Sequence, residues 1–184
     1  EGQKEKKFKN IDYRQAYRYK VLFKEKGNVS LKTNVSFNAI AKYLSKKTNP
    51  NSRIMAIDDN FLDLKGYKIN MGRSFSSNEY LNSINVCILG VDVIDQLFEK
   101  ENPINKEIIV SGMKMKVIGI LSKKGNMMGG GDDRVIMVPI ETGRKMAVGR
   151  QLNFDITTST LKIINFDDFM EEARGIMRKV RMDP

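Results

Sequence analysis

Alternation of apolar and polar residues over several short segments constrains the fold of this chain more than any other feature of its sequence. The alternation runs through NVSLKTNVSF, AIAKYLS and RIMAID, between Asn28 and Asp59. It returns in EIIVSGMKMKVIGIL, where two alternating runs flank Ser111-Gly112. A period of two residues is typical of β-strands, and a short break containing glycine is typical of a hairpin. The sequence therefore predicts three strands in the first segment and a hairpin in the second.

Two amphipathic helices bracket these strands. Asp12 and Gln15 have the spacing of a capping box, and apolar residues then recur at helical spacing, which predicts a helix from about Tyr13 to Lys26. Near the other end, Asp167-Asp168 opens a second helix, because acidic residues favour a helix N-terminus. Its apolar face consists of Phe169, Met170, Ala173, Ile176, Met177 and Val180.

Between the outer segments lies a further run of predicted strands. Val86 to Leu89 and RVIMVP are the clearest of them, with a short helix from about Asp92 to Lys100. The outer segments each combine strands with one amphipathic helix. We therefore expect an α+β fold of two lobes, in which residues 1–64 and 150–184 form one lobe and residues 65–149 form an inserted, strand-rich lobe.

Composition excludes several classes of chemistry. The chain has no histidine and one cysteine, so it can form neither a Ser-His-Asp triad, a Cys/His zinc site nor an internal disulfide. Cys87 lies in an apolar run, where a buried, inert thiol is expected. We predict no catalytic residue, no metal ligand and no cofactor, although a carboxylate-dependent enzyme stays open as an alternative.

Acidic pairs and a glycine run are the remaining candidates for a ligand site. GGGDD, at residues 129–133, lacks the Lys-Ser/Thr of a phosphate-binding loop, but Asp132-Asp133 could wrap a cation with the glycines. Asp58-Asp59 lies at the end of a predicted strand, and neighbouring strand residues point to opposite faces, so these two side chains cannot point together without a bend in the chain. Asp167-Asp168 is explained by helix capping.

The positive net charge of the chain favours binding of polyanions in general and indicates no particular partner. The formal net charge is +10 and the sequence pI is about 9.6, so a basic nucleic-acid-binding module is an alternative function. Basic and acidic residues are interspersed, however, and no RNA-binding or zinc motif is present. The longest unbroken apolar runs reach four residues, as at Val135 to Val138, far short of a membrane span. The Glu1-Gly2 start, without methionine, suggests that the parent protein is longer.

Met127 and Met128 stand between Lys123-Lys124-Gly125-Asn126 and three glycines. Long apolar side chains at a loop tip cost free energy in water unless a partner or the domain covers them. Two interpretations stay open: that the methionines fold back onto the core, or that Met127, Met128, Gly129 and Gly130 contact a partner.

The middle of the chain contains several motifs in a fixed order: Gly72-Arg73-Ser74-Phe75, Val86 to Gly90, Leu97-Phe98, Asn102 to Lys106, Gly112 to Ile120 and Val135 to Pro139. Together they resemble the periplasmic core domain of MacB-like ABC transporter permeases. The resemblance extends outward to RIMAIDDNFLDL, to NFDITTST and to the final helix, and so covers roughly Arg53 to Arg181. So many ordered matches at the proper spacing are more specific than any single motif.

The resemblance implies a porter-like βα lobe and an inserted, sabre-like lobe. It also implies a location outside the cytoplasmic membrane, within a permease fragment whose missing transmembrane helices flank the domain. The domain would be noncatalytic and would transmit conformational change from cytoplasmic ATP hydrolysis to a periplasmic adaptor, a lipoprotein client or a substrate, in efflux or export. The external domain of a lipoprotein-release or FtsX-like permease is the close alternative. Such permeases act as dimers, whereas we expect the isolated domain to be mostly monomeric.

Overall fold

The structure is a computed structural model that describes residues 9–123, 132–160 and 165–182. Within these ranges the chain forms six α-helices, a short 3-10 helix at Asp132–Arg134 and ten strands. The helices are α1 (Tyr13–Phe23), α2 (Phe61–Leu64), α3 (Ser77–Leu81), α4 (Val91–Leu97), α5 (Ile140–Met146) and α6 (Phe166–Met182). The strands are β1 (Asn28–Ala39), β2 (Ala41–Tyr43), β3 (Lys46–Lys47), β4 (Ser52–Ile57), β5 (Ile69–Gly72), β6 (Val86–Leu89), β7 (Glu107–Val110), β8 (Met113–Leu121), β9 (Val135–Pro139) and β10 (Phe154–Ser159).

All ten strands belong to one curled, mixed sheet. Its order is β10-β1-β4-β9-β6-β8-β7-β2-β3, and β5 pairs with β8 beside this path. The pairs β4–β9 and β6–β8 are parallel, and the other pairs are antiparallel. The α+β class is therefore confirmed. The sheet continues from β4 to β9 and from β7 to β2, so strands of the first segment pair at two places with strands of the insert. The division into two lobes stays a prediction.

Helices cover both faces of this sheet, as alternate residues of β6 illustrate. Val86 and Ile88 belong to a cluster covered by α2 and α3, whereas Cys87 and Leu89 face the opposite cluster, with α4 and the end of α5. A third cluster lies where α1 and α6 cover β1 and β10. Burial on both faces of the sheet thus explains why all the residues of β6 are apolar. Among the described residues, none of the helices combines the length and the apolar character needed to cross a bilayer.

The first helix begins as predicted and ends earlier than predicted. The Asp12 side chain accepts a hydrogen bond from the Gln15 N–H, and the Gln15 side chain accepts one from the Asp12 N–H, which completes the capping box. The helix ends at Phe23 because the chain must turn to bring Gly27 against β10. A Cβ added at Gly27 would lie 2.1 Å from the Ser159 carbonyl oxygen, so only glycine permits this approach.

The predicted hairpin is present between β7 and β8. Val110 pairs with Met113, so the loop consists of Ser111 and Gly112. Their φ angles are 49° and 81°, and positive φ at both central residues is typical of the turn that matches the natural twist of two strands.

A tighter constraint acts at Gly72, where β5 meets β8. Gly72 has a φ of 82°, and a Cβ added there would lie 2.2 Å from the backbone oxygen of Ile118 and 2.9 Å from the side chain of Ile104. The neighbouring Arg73 N–H donates to the same Ile118 oxygen, at 3.0 Å. The glycine of the Gly-Arg-x-Phe motif is therefore required both by its backbone angle and by the close approach of β8.

Replacing Gly72 with alanine should destabilise the domain far more than the same change at Gly112. Both residues have positive φ, but a Cβ at Gly112 would meet no atom within 4 Å. We expect Gly112→Ala to cost about 1 kcal/mol, from backbone strain alone. Gly72→Ala should cost about 3 kcal/mol or more, because a steric clash is added to that strain. Urea unfolding of both variants measures the difference, and equal losses would contradict the steric argument.

Candidate functional site

Two neighbouring parallel strands end at the same level and bring several charged residues together. Ile57 at the end of β4 lies opposite Pro139 at the end of β9. Asp58 and Asp59 follow the first strand, and Glu141 follows the second in the opening turn of α5. In α/β sheets, ligand crevices form outside the carboxyl ends of parallel strands. This edge of the sheet is therefore a candidate binding site.

Lys20 of α1 joins the two aspartates. Its Nζ lies 2.6 Å from Asp58 Oδ2 and 2.5 Å from Asp59 Oδ1. Asp58 and Asp59 were expected to point together only if the chain bends, and the chain does bend here, because β4 ends at Ile57 and the two carboxylates lie in the turn that follows. Burial lowers the pKa of Lys20, but the hydrogen bonds and charges of the two aspartates outweigh it and raise that pKa. The ammonium group is thus held in its charged form and is unsuited to act as a nucleophile.

A second polar group lies at the α5 side of the site. The Tyr13 hydroxyl donates to Glu141 Oε1 at 2.6 Å, and Arg144 Nη1 donates to Glu141 Oε2 at 2.6 Å. The Arg144 guanidinium carbon also lies 3.8 Å from the centroid of the Tyr13 ring, within cation–π distance. Burial, together with the Glu141 carboxylate, raises the pKa of Tyr13, so this phenol stays a hydrogen-bond donor.

Between these groups lies a crevice of about 260 Å³. Its walls combine acids, tyrosines and apolar side chains: Tyr13, Tyr17, Lys20, Leu31, Asp58, Asp59, Ser77, Tyr80, Leu81, Ile140 and Glu141. Leu81 is 76% exposed and Tyr17 is 54% exposed at its rim. This mixture is suited to binding a ligand that has both a charged group and an apolar part.

Two polar atoms beside the crevice, Asp58 Oδ1 and the Tyr80 hydroxyl, are enclosed by the protein and make no hydrogen bond of ordinary geometry among the described residues. Asp58 is 5% exposed and Tyr80 is 8% exposed. Burial raises the pKa of Asp58, which Lys20 offsets only in part. Burial also raises the pKa of Tyr80, which the nearby Ser74 hydroxyl offsets only in part. Buried groups of this kind normally have partners, and the Leu31 backbone and the Ser74 hydroxyl are the neighbours that lower the two pKa values in part.

The predicted contact residues Met127, Met128, Gly129 and Gly130 lie outside the described residues. The same holds for the glycines that would complete a cation loop with Asp132-Asp133. Within the described ranges, no group of Asp, Glu and Cys side chains is suitably placed to hold a metal ion. Cys87 is fully buried, as expected, and burial raises its pKa.

The Gly-Arg-x-Phe motif has a structural explanation. Arg73 donates two hydrogen bonds to Glu79, at 2.7 and 2.8 Å, and Glu79 also accepts from the backbone N–H and the hydroxyl of Ser76. Phe75 is buried and contacts the Tyr80 ring edge-on, with centroids 5.4 Å apart. The motif therefore holds α3, and with it Tyr80, beside the crevice. Arg73 foremost, aided by Ser76, lowers the pKa of Glu79 to about 2.

This pKa predicts the pH dependence of a Glu79→Gln variant. An ionised Glu79 contributes its stabilisation above the pKa of about 4.5 that it has in the unfolded chain, and the stabilisation is lost as the pH falls toward 2. Because Arg73 is 56% exposed, we expect the variant to be less stable by only about 1 kcal/mol at pH 7. Thermal unfolding from pH 7 to pH 2 should show this difference shrinking below pH 5. The control Glu99→Gln, at a carboxylate that is 71% exposed, should have little effect, and a constant difference at all pH values would refute the assignment.

Sequence reasoning missed the crevice, although a signal was present. Two buried apolar runs, RIMAI and VIMVP, are each followed within two residues by an acid. Such runs mark strands that are buried on both faces, and acids at their carboxyl ends meet if the strands are parallel neighbours. The contribution of Lys20 and Tyr80 could not be inferred, because both come from helices whose positions over the sheet were unknown.

Comparisons of this chain with a family profile, with sequence relatives and with solved structures all indicate the same kind of domain. A family profile described as the MacB-like periplasmic core domain matches residues 6–174. A macrolide export ATP-binding/permease protein MacB from Syntrophobacter fumaroxidans is 39% identical over 80 residues, which are 43% of this chain and 11% of that relative. The ABC transporter permease YknZ of Bacillus subtilis is 28% identical over 83 residues, or 45% of this chain and 20% of that protein. The matched stretches thus span only a small part of these relatives.

Solved structures show the same fold. The periplasmic region of MacB from Actinobacillus actinomycetemcomitans superposes with a TM-score of 0.77 at 20% identity, covering 95% of this chain and 76% of that chain. The extracellular domain of the noncanonic ABC-type transporter YknZ from Gram-positive bacteria superposes with a TM-score of 0.74 at 18% identity, covering 95% and 86%.

Proposed function

Because the chain belongs to the family of MacB-like periplasmic core domains, we propose that it transmits conformational change from cytoplasmic ATP hydrolysis to a partner outside the membrane. The domain is the extracytoplasmic part of an ABC transporter permease. In this proposal it is noncatalytic, its parent acts as a dimer in efflux or export, and its partner is a periplasmic adaptor or a lipoprotein client. The names of the relatives, which include macrolide export proteins, favour export.

The meeting of the two ends of the described chain is the observation that carries this proposal. Arg181, near the end of α6, donates to the Lys9 backbone oxygen at 3.2 Å. A domain whose ends lie side by side can be moved through both of them at once. Displacement of the flanking segments would therefore act on α1 and α6 as a pair.

The contact between α1 and α6 supports a rigid coupling of this pair to the sheet. The Phe23 and Phe169 rings meet edge-to-face with centroids 5.7 Å apart, and Lys26 pairs with Glu172. Phe23 also belongs to the cluster that contains Leu31 of β1 and Phe154 of β10. Close-packed interiors transmit displacement without much compression, so a shift of α6 would carry the edge of the sheet with it.

Loosening this contact should uncouple the domain from the transporter. In the parent permease, we expect Phe169→Ala to leave basal ATP hydrolysis intact and to abolish most of its stimulation by the partner, because in this proposal the partner acts on the transporter through the α1–α6 contact. Phe61→Ala is the matched control, since it removes a buried ring from α2, away from α6. Both changes should lower the melting temperature of the domain, and partner stimulation of ATP hydrolysis is the readout. Equal loss of stimulation in both variants would refute the role of the α1–α6 contact.

Met127 and Met128 are the proposed point of contact with the partner, on the sequence argument that long apolar side chains flanked by glycines are suited to a protein surface. Met127→Ser/Met128→Ser should weaken binding to the adaptor or lipoprotein encoded beside the parent gene by about tenfold or more. The melting temperature should stay nearly unchanged. Leu44→Ser is the control, because Leu44 is 86% exposed at the turn between β2 and β3. Calorimetric titration measures both affinities, and unchanged binding by the double variant would remove these residues from the contact.

A further inference from the structure

The strand β10 forms one end of the sheet, and one of its edges is open. Among the described strands, β10 pairs with β1 alone. The Leu31 carbonyl oxygen of β1 accepts a hydrogen bond from the Asp58 N–H at 3.1 Å, on the side of β4. Ile156 lies directly opposite Leu31 in an antiparallel pair. When one residue of such a pair turns its backbone groups away, the opposed residue does the same, so the N–H and C=O groups of Ile156 point away from β1.

The residues two positions before and after Ile156 present their backbone groups to the same open edge, because these groups alternate along a strand. They are Phe154 and Thr158. The Phe154 N–H already donates to the Ile11 backbone oxygen, at 2.9 Å, which shows that this edge accepts a neighbouring extended segment. No backbone hydrogen bond among the described residues reaches the outward groups of Ile156 and Thr158. An open row of this kind is a template for a further strand.

A groove of about 680 Å³ lies along this edge and is lined by residues 153–158 of the strand and its approach. Its floor is apolar on one face, where Ile156 packs against the cluster beneath α1 and α6, together with Ala173 and Met177. Because side chains alternate along a strand, Asp155 points to the opposite face, where it pairs with Lys32 at 2.8 Å. The volume lies within the range of about 300–1,000 Å³ that is usual for ligand sites, so a short extended segment has room beside β10.

Positive charge surrounds the groove. Asp155 is the one acid among its described lining residues, and that acid is paired with Lys32. Arg174 and Arg181 are exposed at the side formed by α6. The groove therefore attracts a segment that has carboxylate groups. Its cations are Lys9, Lys32, Lys65, Arg174 and Arg181.

The combination of an open strand edge with a positive rim excludes other occupants. A lipid surface would be attracted by the charge, but it has no row of backbone donors and acceptors for Ile156 and Thr158. A second copy of the domain would bring two positive rims together, and like charges beside an edge strand oppose such pairing. The opening run of the chain is basic as well, with lysines at positions 4, 6 and 7, so it is repelled for the same reason.

We propose that the open edge of β10 binds an extended, acidic segment of a partner polypeptide, which pairs with Ile156 and Thr158 as an added strand. Main-chain hydrogen bonds supply affinity in this mode of recognition, and alternate side chains supply specificity. The apolar side chains of the segment lie on the face of Ile156 and Met177, and its acids lie near the cations of the rim. This site is separate from the methionines at 127–128 and does not depend on the transmission of conformational change.

The test uses the whole domain, labelled with ¹⁵N, and a blocked hexapeptide of alternating glutamate and valine. In the free domain, the amides of Ile156 and Thr158 should exchange with solvent faster than those of Asp155 and Thr157, which point toward β1. The peptide should slow the exchange of Ile156 and Thr158 by about tenfold or more, in a saturable manner. Absence of this protection would overturn the proposal. Slow exchange of both amides without peptide would also overturn it, because the chain itself or a second copy would then occupy the edge.

N-methylated peptides test the pairing itself. Directly opposed residues share one face of a sheet, so the valines should lie on the face of Ile156 with their N–H groups toward β10. Methylation of the valine nitrogens should therefore weaken binding by about tenfold or more. Methylation of the glutamate nitrogens is the matched control, because these point away from β10, and it should have little effect. Equal affinities of the two methylated peptides would refute the addition of a strand.

Charge variants and vesicles separate a peptide site from a general attraction. A lysine–valine peptide should bind about tenfold more weakly than the glutamate–valine peptide, and Arg174→Gln should weaken binding of the latter by about threefold or more. Arg178→Gln is the control, since Arg178 is exposed on the same helix but does not line the groove. Equal effects of the two arginine changes would contradict the site. Vesicles of phosphatidylglycerol and phosphatidylcholine should leave amide exchange at Ile156 and Thr158 unchanged, and protection by vesicles in place of the peptide would assign the groove to a membrane surface and overturn the proposal.

Discussion

The parallel pairing of β4 with β9 is the contact on which the rest of the domain depends. The pairing consists of five residue pairs, from Arg53 with Val135 to Ile57 with Pro139. Almost all of the side chains involved are fully buried, because helices cover both faces of this part of the sheet. The described part of the chain between the two strands contains four strands of the sheet, three α-helices and a short 3-10 helix. Closing so long a loop costs conformational entropy, which the burial of two apolar strands offsets.

The same pairing also determines where the charged side chains of the crevice lie. Because the two strands end together, the acids that follow them converge, and α1 lies near enough for Lys20 to bridge Asp58 and Asp59. The Gly72 turn and the Arg73–Glu79 pair then fix α3 at the opposite wall. The crevice is thus a product of the sheet topology, whereas the α1–α6 pair, at the β10 edge, is positioned by the outer strands.

Local features of this fold were predictable from the sequence, and long-range features were not. The capping box at Asp12 and the Ser111-Gly112 hairpin depend on residues within four positions of one another, and both were predicted correctly. The order of the strands depends on contacts between distant segments, which periodicity does not specify. Whether Asp58 and Asp59 point together depended on a bend that the sequence did not specify, since the end of a strand is set by the turn that follows. The family resemblance was carried by motifs such as Gly72 to Phe75, whose structural role explains their fixed spacing.

The burial of Cys87 has a practical consequence for measuring motion in this domain. Thiol reagents attack the exposed thiolate, and this sulfur is fully enclosed, with a raised pKa. A new cysteine introduced at an exposed residue such as Val148 would therefore react selectively in the native background. Pairs of spectroscopic labels can then report distances between the two outer helices and the crevice during turnover of the transporter, without first replacing the natural cysteine.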